Sequence, residues 1–188
     1  VCSCYHSDVY SSYRIRALIS SVLKLRKLIS VEDLDGLTKY IKSGDVTPVP
    51  TFLKRQLFIK WGQNPTIWIE SGTYFGDTTH FLASLSMKVI TIEPSLNHYM
   101  AAINRFNGNS LVTLKHGISE IELPKILNNL SELELKSLSF WLDGHYMKGK
   151  SFQGPQDCPL LDELDTISRF LPRIDNVTIL IDDVRNID

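Results

Sequence analysis

The sequence predicts an α/β fold built on a doubly wound, mostly parallel sheet. From Thr66 onward, apolar segments of strand length alternate with segments of helical periodicity. Apolar strands that lack an alternating polar face indicate a sheet with helices on both sides. A glycine loop after the first strand and carboxylates after later strands indicate a ligand crevice at the carboxyl edge of that sheet.

Five strands and four helices account for this alternation. The strands are predicted at Thr66–Glu70, Lys88–Glu93, Leu111–Lys115, Leu138–Leu142 and Val177–Ile181. The helices are predicted at Thr78–Ser86, Leu96–Phe106, Leu123–Leu130 and Pro159–Phe170. Right-handed crossovers between these strands place the crevice beside the first strand, where the strand order reverses.

The residues before the sheet are predicted to form a helical segment, 1–46, followed by one domain, 47–188. Helices are expected over Tyr13–Ile29, which has a basic face, and over Leu34–Lys42, while Phe52–Trp61 leads into the sheet. A basic amphipathic helix can lie on a membrane surface. Packing against a neighbouring domain or subunit is the commoner use of such a helix. We therefore name the N-terminal helices as a candidate homo-oligomer interface.

Length and composition limit the classes of protein. The 188 residues, 43% of them hydrophobic, are enough for one main core. A net charge of −1 creates no field that attracts nucleic acid, so no such partner is expected. Three cysteines without disulfide or zinc spacing favour a reduced, cytoplasmic setting. No apolar run reaches the roughly 18 residues of a membrane span, so no transmembrane segment is expected.

The loop from Glu70 to Thr78, ESGTYFGDT, indicates which cofactor the crevice binds. A dinucleotide loop has the pattern G-x-G-x-x-G, in which the second glycine lets the backbone approach the pyrophosphate. Tyr74 and Asp77 occupy the second and third glycine positions here. A bulky side chain and a carboxylate oppose a pyrophosphate. The pattern E-x-G-x-x-x-G therefore favours S-adenosylmethionine, which has no phosphate, over NAD.

Several loop residues and one later carboxylate are candidates for binding this cofactor. Backbone N–H groups around Gly72 and the positive end of the following helix can hold the methionine carboxylate. Asp77 can bind the ammonium group or cap the helix. Glu93 ends the second strand at the spacing expected for a carboxylate that accepts both ribose hydroxyls, with a solvated strand end as the alternative. The predicted cofactor-binding residues are Glu70, Gly72, Thr73, Tyr74, Gly76, Asp77, Thr78, Glu93, Ser119 and Asp143.

Acidic residues and a histidine follow the fourth and fifth strands. Asp143 and His145 come after the fourth strand, and Asp182 and Asp183 come after the fifth. His145 can act as a general base because an imidazole titrates near neutral pH, although a surface histidine is the common alternative. The three carboxylates suit Mg²⁺ or a similar hard cation. Hydrogen bonding to backbone or substrate without a metal is an equal alternative.

Taken together, these motifs resemble class I S-adenosylmethionine-dependent methyltransferases. The similarity is to a bacterial-type branch with the motifs E-[ST]-G-T-Y-x-G-D-T, L-D-G-H-Y and I-L-I-D-D-x-R, matched here at residues 70–78, 142–146 and 179–185. Metal-assisted O-methyltransferases of the catechol and macrocin types are more distantly similar. The resemblance implies a Rossmann-like sheet with strand order 3-2-1-4-5. It also implies Asp143, Asp182 and Asp183 as Mg²⁺ ligands, and His145 with Asp143 as the catalytic residues.

Two features depart from that family pattern. After the third strand, relatives place an acidic residue against the adenine amino group, where this chain has Ile118. Ser119 or a backbone group would have to take its place. Relatives also continue past the fifth strand with a helix and two more strands, whereas this chain ends at Asp188 and lacks an initiator methionine. We therefore expect a fragment without the C-terminal strands, whose fifth strand has an unpaired edge.

The primary hypothesis is methyl transfer from S-adenosylmethionine to an oxygen of a small hydroxylated acceptor, such as a sugar or a natural product. Three alternatives stay open. A methyltransferase-fold module that has lost tight cofactor binding is favoured by Ile118 and the early end. A nucleotide-dependent oxidoreductase is opposed by Tyr74 and Asp77. A metal-dependent hydrolase would leave the glycine loop without a role.

Overall fold

The computed structural model describes residues 31–44, 49–62, 65–144 and 159–182. Other predicted features lie outside the described residues, among them the helix over 13–29, the boundary at residue 46 and the site residues His145 and Asp183. The chain divides into two compact units, with the division between Lys54 and Arg55. None of the helices in the described ranges is long and apolar enough to cross a membrane.

The first unit contains helix α1, Val31–Lys42, and the beginning of helix α2, Thr51–Trp61. Helix α1 has acidic residues in its first turn and lysines in its last turn, which is the distribution that the helix dipole favours. It begins three residues before the predicted Leu34. Glu32 and Asp33, which precede the predicted start, are therefore part of its first turn.

The second unit is built on a five-stranded sheet in the order β3-β2-β1-β4-β5. All neighbouring strands are parallel, which confirms the predicted sheet and its strand order. The order reverses between β1 and β4, and a ligand crevice is expected at their carboxyl ends. The strands are β1 Ile67–Ser71, β2 Lys88–Glu93, β3 Val112–His116, β4 Ser137–Leu142 and β5 Asn176–Ile181.

Five helices and one 3-10 turn connect these strands. They are α3 Asp77–Ala83, α4 Leu96–Arg105, α5 Ser119–Asn129, α6 Glu132–Leu135, α7 Leu160–Phe170 and the 3-10 turn Leu171–Arg173. Helix α5 begins four residues before the predicted Leu123, so Pro124 lies inside the helix rather than in its first turn. The short helix α6 was not predicted, although Ser131 and Glu134 form the capping box that starts it.

Two apolar clusters pack on opposite faces of the sheet, since successive strand residues point to opposite sides. One cluster joins Ile69 and Phe140 to helix α5 through Leu127. The other joins Trp68 and Trp141 to Leu82 of helix α3 and to Phe58 of helix α2. The ring of Phe58 meets Trp141 edge-on, with the ring centroids 4.8 Å apart. These clusters fix the strands whose carboxyl ends carry the candidate site.

Candidate functional site

The glycine loop lies at the carboxyl ends of three neighbouring strands. The N–H groups of Gly72 and Thr73 both donate to the carbonyl oxygen of Ile92 in β2, at 3.0 and 3.2 Å. On the other side, the N–H of Asp143 donates to the carbonyl oxygen of Ser71 at 3.1 Å. The loop is therefore held between β2 and β4, at the crevice where the strand order reverses.

Both glycines of the loop occupy positions that exclude a side chain. Gly72 has a φ of 93°, and a Cβ atom there would lie 2.5 Å from the carbonyl oxygen of Asp143. Gly76 has a φ of 79°, and a Cβ atom there would lie 2.7 Å from the ring of Phe106. Tyr74, with a φ of 49°, is the only non-glycine residue of positive φ in the described ranges. Such conformations concentrate at ligand-binding turns.

Glu93 is the last residue of β2, and its carboxylate is hydrogen-bonded to the glycine loop. Its Oε2 accepts a hydrogen bond from the Tyr74 N–H at 2.8 Å, and its Oε1 accepts one from the Ser95 N–H at 2.9 Å. His98 Nδ1 lies 3.8 Å from Oε1. The residue is only 4% exposed, so it is not a solvated strand end. Each carboxylate oxygen retains a lone pair that can accept from a further hydroxyl group.

Glu70 is a fully buried acid beneath the same loop. Its Oε2 accepts hydrogen bonds from the hydroxyls of Thr79 and Thr91. The hydroxyls of Thr73 and Thr91 are 2.6 Å apart, so Thr91 links the glycine loop to Glu70. Burial raises the pKa of Glu70 to about 8, against the opposing effect of the threonine hydrogen bonds. The acid is therefore predominantly neutral at pH 7.

The amides of the loop are mostly engaged within the protein. Gly72 and Thr73 donate to Ile92, and Tyr74 donates to Glu93, so none of these three N–H groups is left for a ligand carboxylate. The other predicted contact for the methionine carboxylate, the beginning of helix α3, stays a prediction. Thr78 is half-buried there, as its second residue.

Asp77 does not cap helix α3, because Gly76 is the N-cap residue and Asp77 is the first helical residue. The Asp77 side chain is 71% exposed, and its Oδ1 pairs with Nη2 of Arg105 at 2.8 Å. Arg105 also donates from Nη1 to the carbonyl oxygen of Phe75. This arginine therefore ties helix α4 to the outer side of the glycine loop, and sequence analysis did not identify it.

Asp143 and Asp182 follow paired residues of adjacent strands. Leu142 and Ile181 are register partners, and the N–H of Asp182 donates to the carbonyl oxygen of Leu142 at 3.0 Å. Both aspartates are thus at the same edge of the sheet as Gly72. No group of three or more His, Cys, Asp or Glu residues suited to a metal ion occurs among the described residues. The three-aspartate ligand set and the base role of the histidine stay predictions.

Glu163 is a buried acid near this edge that sequence analysis missed. It lies on helix α7 and is 1% exposed. Burial raises the pKa of its carboxyl, with the hydroxyls of Ser119 and Ser71 acting in the opposite direction. Ser119 itself is buried and is the first residue of helix α5. A signal existed in the sequence, because Glu163 lies between Leu160 and Ile167 at the spacing of a buried helical face.

Ile118 lies in an extended conformation (φ −85°, ψ 146°) as the N-cap of α5 and provides no side-chain cap. A separate cavity of about 250 Å³ lies between helix α5 and strands β2 and β3, lined in part by Lys88, Thr113, Lys115 and Asn129. None of the predicted site residues lines that cavity. The candidate site is therefore defined by the strand ends and not by this cavity.

Comparison with known proteins shows the fold of this chain. No family model and no curated protein sequence matches it. A methyltransferase of Podospora anserina, solved with bound S-adenosylhomocysteine (SAH), is similar over 97% of this chain and 73% of that one, with a TM-score of 0.51 and 14% identity. An O-methyltransferase of Bacillus cereus in complex with SAH has a TM-score of 0.43 and 24% identity, over 69% of this chain and 60% of that one.

The Podospora match extends over nearly the whole chain, and it confirms the predicted fold class. The chain has the α/β, Rossmann-like fold of class I methyltransferases, with five parallel strands in the order 3-2-1-4-5. The alignment to the Bacillus protein spans 60% of that protein's length. Fold alone does not assign an activity, which must be argued from the site.

Replacing Glu70 by Gln should remove a pH dependence of stability. The folded-state pKa of about 8 lies above the ordinary value of 4.5, so the folded protein holds this proton more tightly than the unfolded chain. This contribution to the free energy of unfolding is complete below pH 4.5 and is lost as the pH rises to 8. Urea denaturation between pH 5 and 8 should show wild type losing up to about 1.4 kcal/mol per pH unit relative to the variant. If the free energies of unfolding of wild type and Glu70→Gln depend on pH in the same way, Glu70 is not a buried neutral acid.

Replacing Gly72 by Ala should cost more stability than replacing Gly108, which has a similar φ of 77° but no atoms within 4 Å of a Cβ position. The left-handed conformation alone costs about 1 kcal/mol in each variant. At Gly72, displacing the Asp143 backbone should add about 1–3 kcal/mol. Urea denaturation measures both variants, and equal losses would show that the close approach of the two strand ends is not a constraint.

Proposed function

We propose that this protein transfers a methyl group from S-adenosylmethionine to an oxygen of a small hydroxylated acceptor. The hydrogen bond from the Tyr74 N–H to Glu93 Oε2 is the observation that supports this best. This hydrogen bond fixes the carboxylate of Glu93 beside the glycine loop, at the carboxyl ends of β1 and β2. The loop itself has the pattern that opposes a pyrophosphate. The fold, which is shared with a methyltransferase solved with SAH, is consistent with this proposal.

The described residues fit the parts of S-adenosylmethionine. Glu93 would accept the ribose hydroxyls through its remaining lone pairs, since backbone amides already fix both carboxylate oxygens. The beginning of helix α3 would hold the methionine carboxylate near Thr78. The backbone carbonyl oxygen of Asp143, which adjoins Gly72, would accept a hydrogen bond from the ammonium group.

The transfer needs little covalent chemistry from the chain. When bound, S-adenosylmethionine supplies the methyl group in activated form, as a sulfonium. The residues of this chain bind the donor, orient the acceptor oxygen in line with the methyl carbon and exclude water. His145 would take the proton that leaves the acceptor hydroxyl.

Titration calorimetry with SAH tests the cofactor assignment. The complete wild-type protein should bind one equivalent. Glu93→Gln should weaken binding by about tenfold or more, because the amide nitrogen cannot accept the hydrogen bond from Tyr74 or Ser95 and offers the ribose a donor in place of a lone pair. Glu132→Gln, which alters an exposed acid paired with Arg173 on the surface, is the control and should bind as wild type does.

The outcomes separate this proposal from its alternatives. Absence of SAH binding by the wild-type protein would contradict the methyltransferase assignment. Tighter binding of NAD in a parallel titration would favour a nucleotide-dependent oxidoreductase. SAH binding without turnover of any hydroxylated acceptor would favour a methyltransferase-fold binding module. The binding module has its own support, because the side chain of Ile118 offers no polar group where an adenine contact is expected.

We also propose that a divalent cation such as Mg²⁺ binds at the ends of β4 and β5. The support is the register that sets Asp143 beside Asp182, to which Asp183 would be added. Carboxylate oxygens are suited to Mg²⁺, which when bound would lower the pKa of an acceptor hydroxyl. A cytoplasmic location and a homo-oligomer formed through the N-terminal helices stay predictions.

Chelation tests the cation separately from the cofactor. With EDTA, methyl transfer should fall to background and return when Mg²⁺ is added in excess. SAH affinity should stay within about threefold, since the proposed cation contacts the acceptor and not the cofactor. Turnover that persists in EDTA would eliminate the cation from the reaction while leaving the cofactor assignment intact.

A further inference from the structure

We propose that Glu163 is a positioning residue that fixes the relative positions of three parts of the cofactor site. The inference rests on the proposed function, because the site in question is the one assigned to S-adenosylmethionine. Helix α7 carries Glu163 to the point where the end of β1, the corner after β4 and the start of helix α5 meet. These three parts are represented by Ser71, Gly144 and Ser119.

The contacts of Glu163 converge on the backbone after β4. A Cβ atom at Gly144 would lie 3.4 Å from Glu163 Oε1 and 3.5 Å from Ser71 Oγ. Both polar groups therefore lie against the same side of Gly144. Ser71 Oγ also accepts a hydrogen bond from the N–H of Asp143 at 3.3 Å. Glu163 thus packs against the corner whose carbonyl oxygen adjoins Gly72.

An apolar residue at position 163 would be the better choice for stability alone. Helix α7 presents Leu160 and Ile167 to the apolar cluster on the same face as Glu163. Burying a carboxyl there is unfavourable, and Oε1 forms no hydrogen bond within the described part of the chain. Residues that lower stability in this way are expected where function requires them.

Glu163 acts through its neighbours, since almost none of its surface is open to a ligand. Its carboxyl spaces the Asp143–Gly144 corner from helix α5, and the corner in turn fixes how closely Asp143 approaches Gly72. A small displacement of this corner changes the distance between β1 and β4, across which the cofactor would bind. Gln has the same length and shape as Glu and keeps polar atoms at the end of the side chain, so it is the conservative substitute at this position.

Two substitutions at Glu163 separate positioning from packing. Glu163→Met, apolar and of similar length, should raise the melting temperature by a few degrees while weakening SAH binding by about tenfold. Glu163→Gln should restore SAH binding to within about threefold of wild type. The control is Thr166→Val, which makes another buried polar residue of helix α7 apolar and should leave SAH affinity unchanged.

The calorimetric result decides the inference. Weaker binding by Glu163→Met together with restoration by Glu163→Gln supports it. If Glu163→Met binds SAH as tightly as wild type, the inference is overturned and the proposed function stands. The same holds if Thr166→Val weakens SAH binding as much as Glu163→Met does. Absence of binding by wild type overturns both. If Glu163→Met does not fold, Ser71→Ala tests the same contact, and an unchanged SAH affinity in that variant overturns the inference.

Discussion

The candidate site depends on the close approach of two backbone segments, Gly72 after β1 and Asp143 after β4. These strands are neighbours in the sheet although some 70 residues separate them in sequence, and their carboxyl ends are where the strand order reverses. A Cβ atom at Gly72 would lie 2.5 Å from the Asp143 carbonyl oxygen, so the approach requires glycine. Hydrogen bonds from the loop to Ile92 and from Asp143 to Ser71 then set its position.

Three carboxyl groups surround this approach, and their environments give them different roles. Glu93 is oriented by two backbone amides and remains an acceptor for hydroxyl groups. Glu70 and Glu163 are enclosed among hydroxyls and apolar side chains, and burial raises the pKa of both. Each of these two acids has an oxygen without a hydrogen bond among the described residues, an arrangement that lowers stability. Both acids lie at the edge of the sheet where ligand binding is proposed.

Much of this arrangement could be predicted from sequence, and the limits have physical causes. Apolar runs identified all five strands, because strand patterning is local in sequence. The loop spacing placed Gly72 and Glu93 at the carboxyl ends of β1 and β2, and their roles in cofactor binding stay predictions. The beginning of helix α5 was placed too late because Pro124 is tolerated inside it. Glu163 was missed because its burial depends on β1, β4 and α5 meeting around it. The engagement of the loop amides was missed because it depends on the left-handed turn at Tyr74.

A crystal structure of the complete protein with SAH tests the central claim most directly, which is that these strand ends bind an S-adenosyl cofactor. We expect ligand density with the ribose hydroxyls within hydrogen-bond distance of Glu93 and the homocysteine part between Gly72 and Asp143. Density in the cavity beneath helix α5, near Lys88 and Lys115, or no density at saturating SAH, would contradict the account.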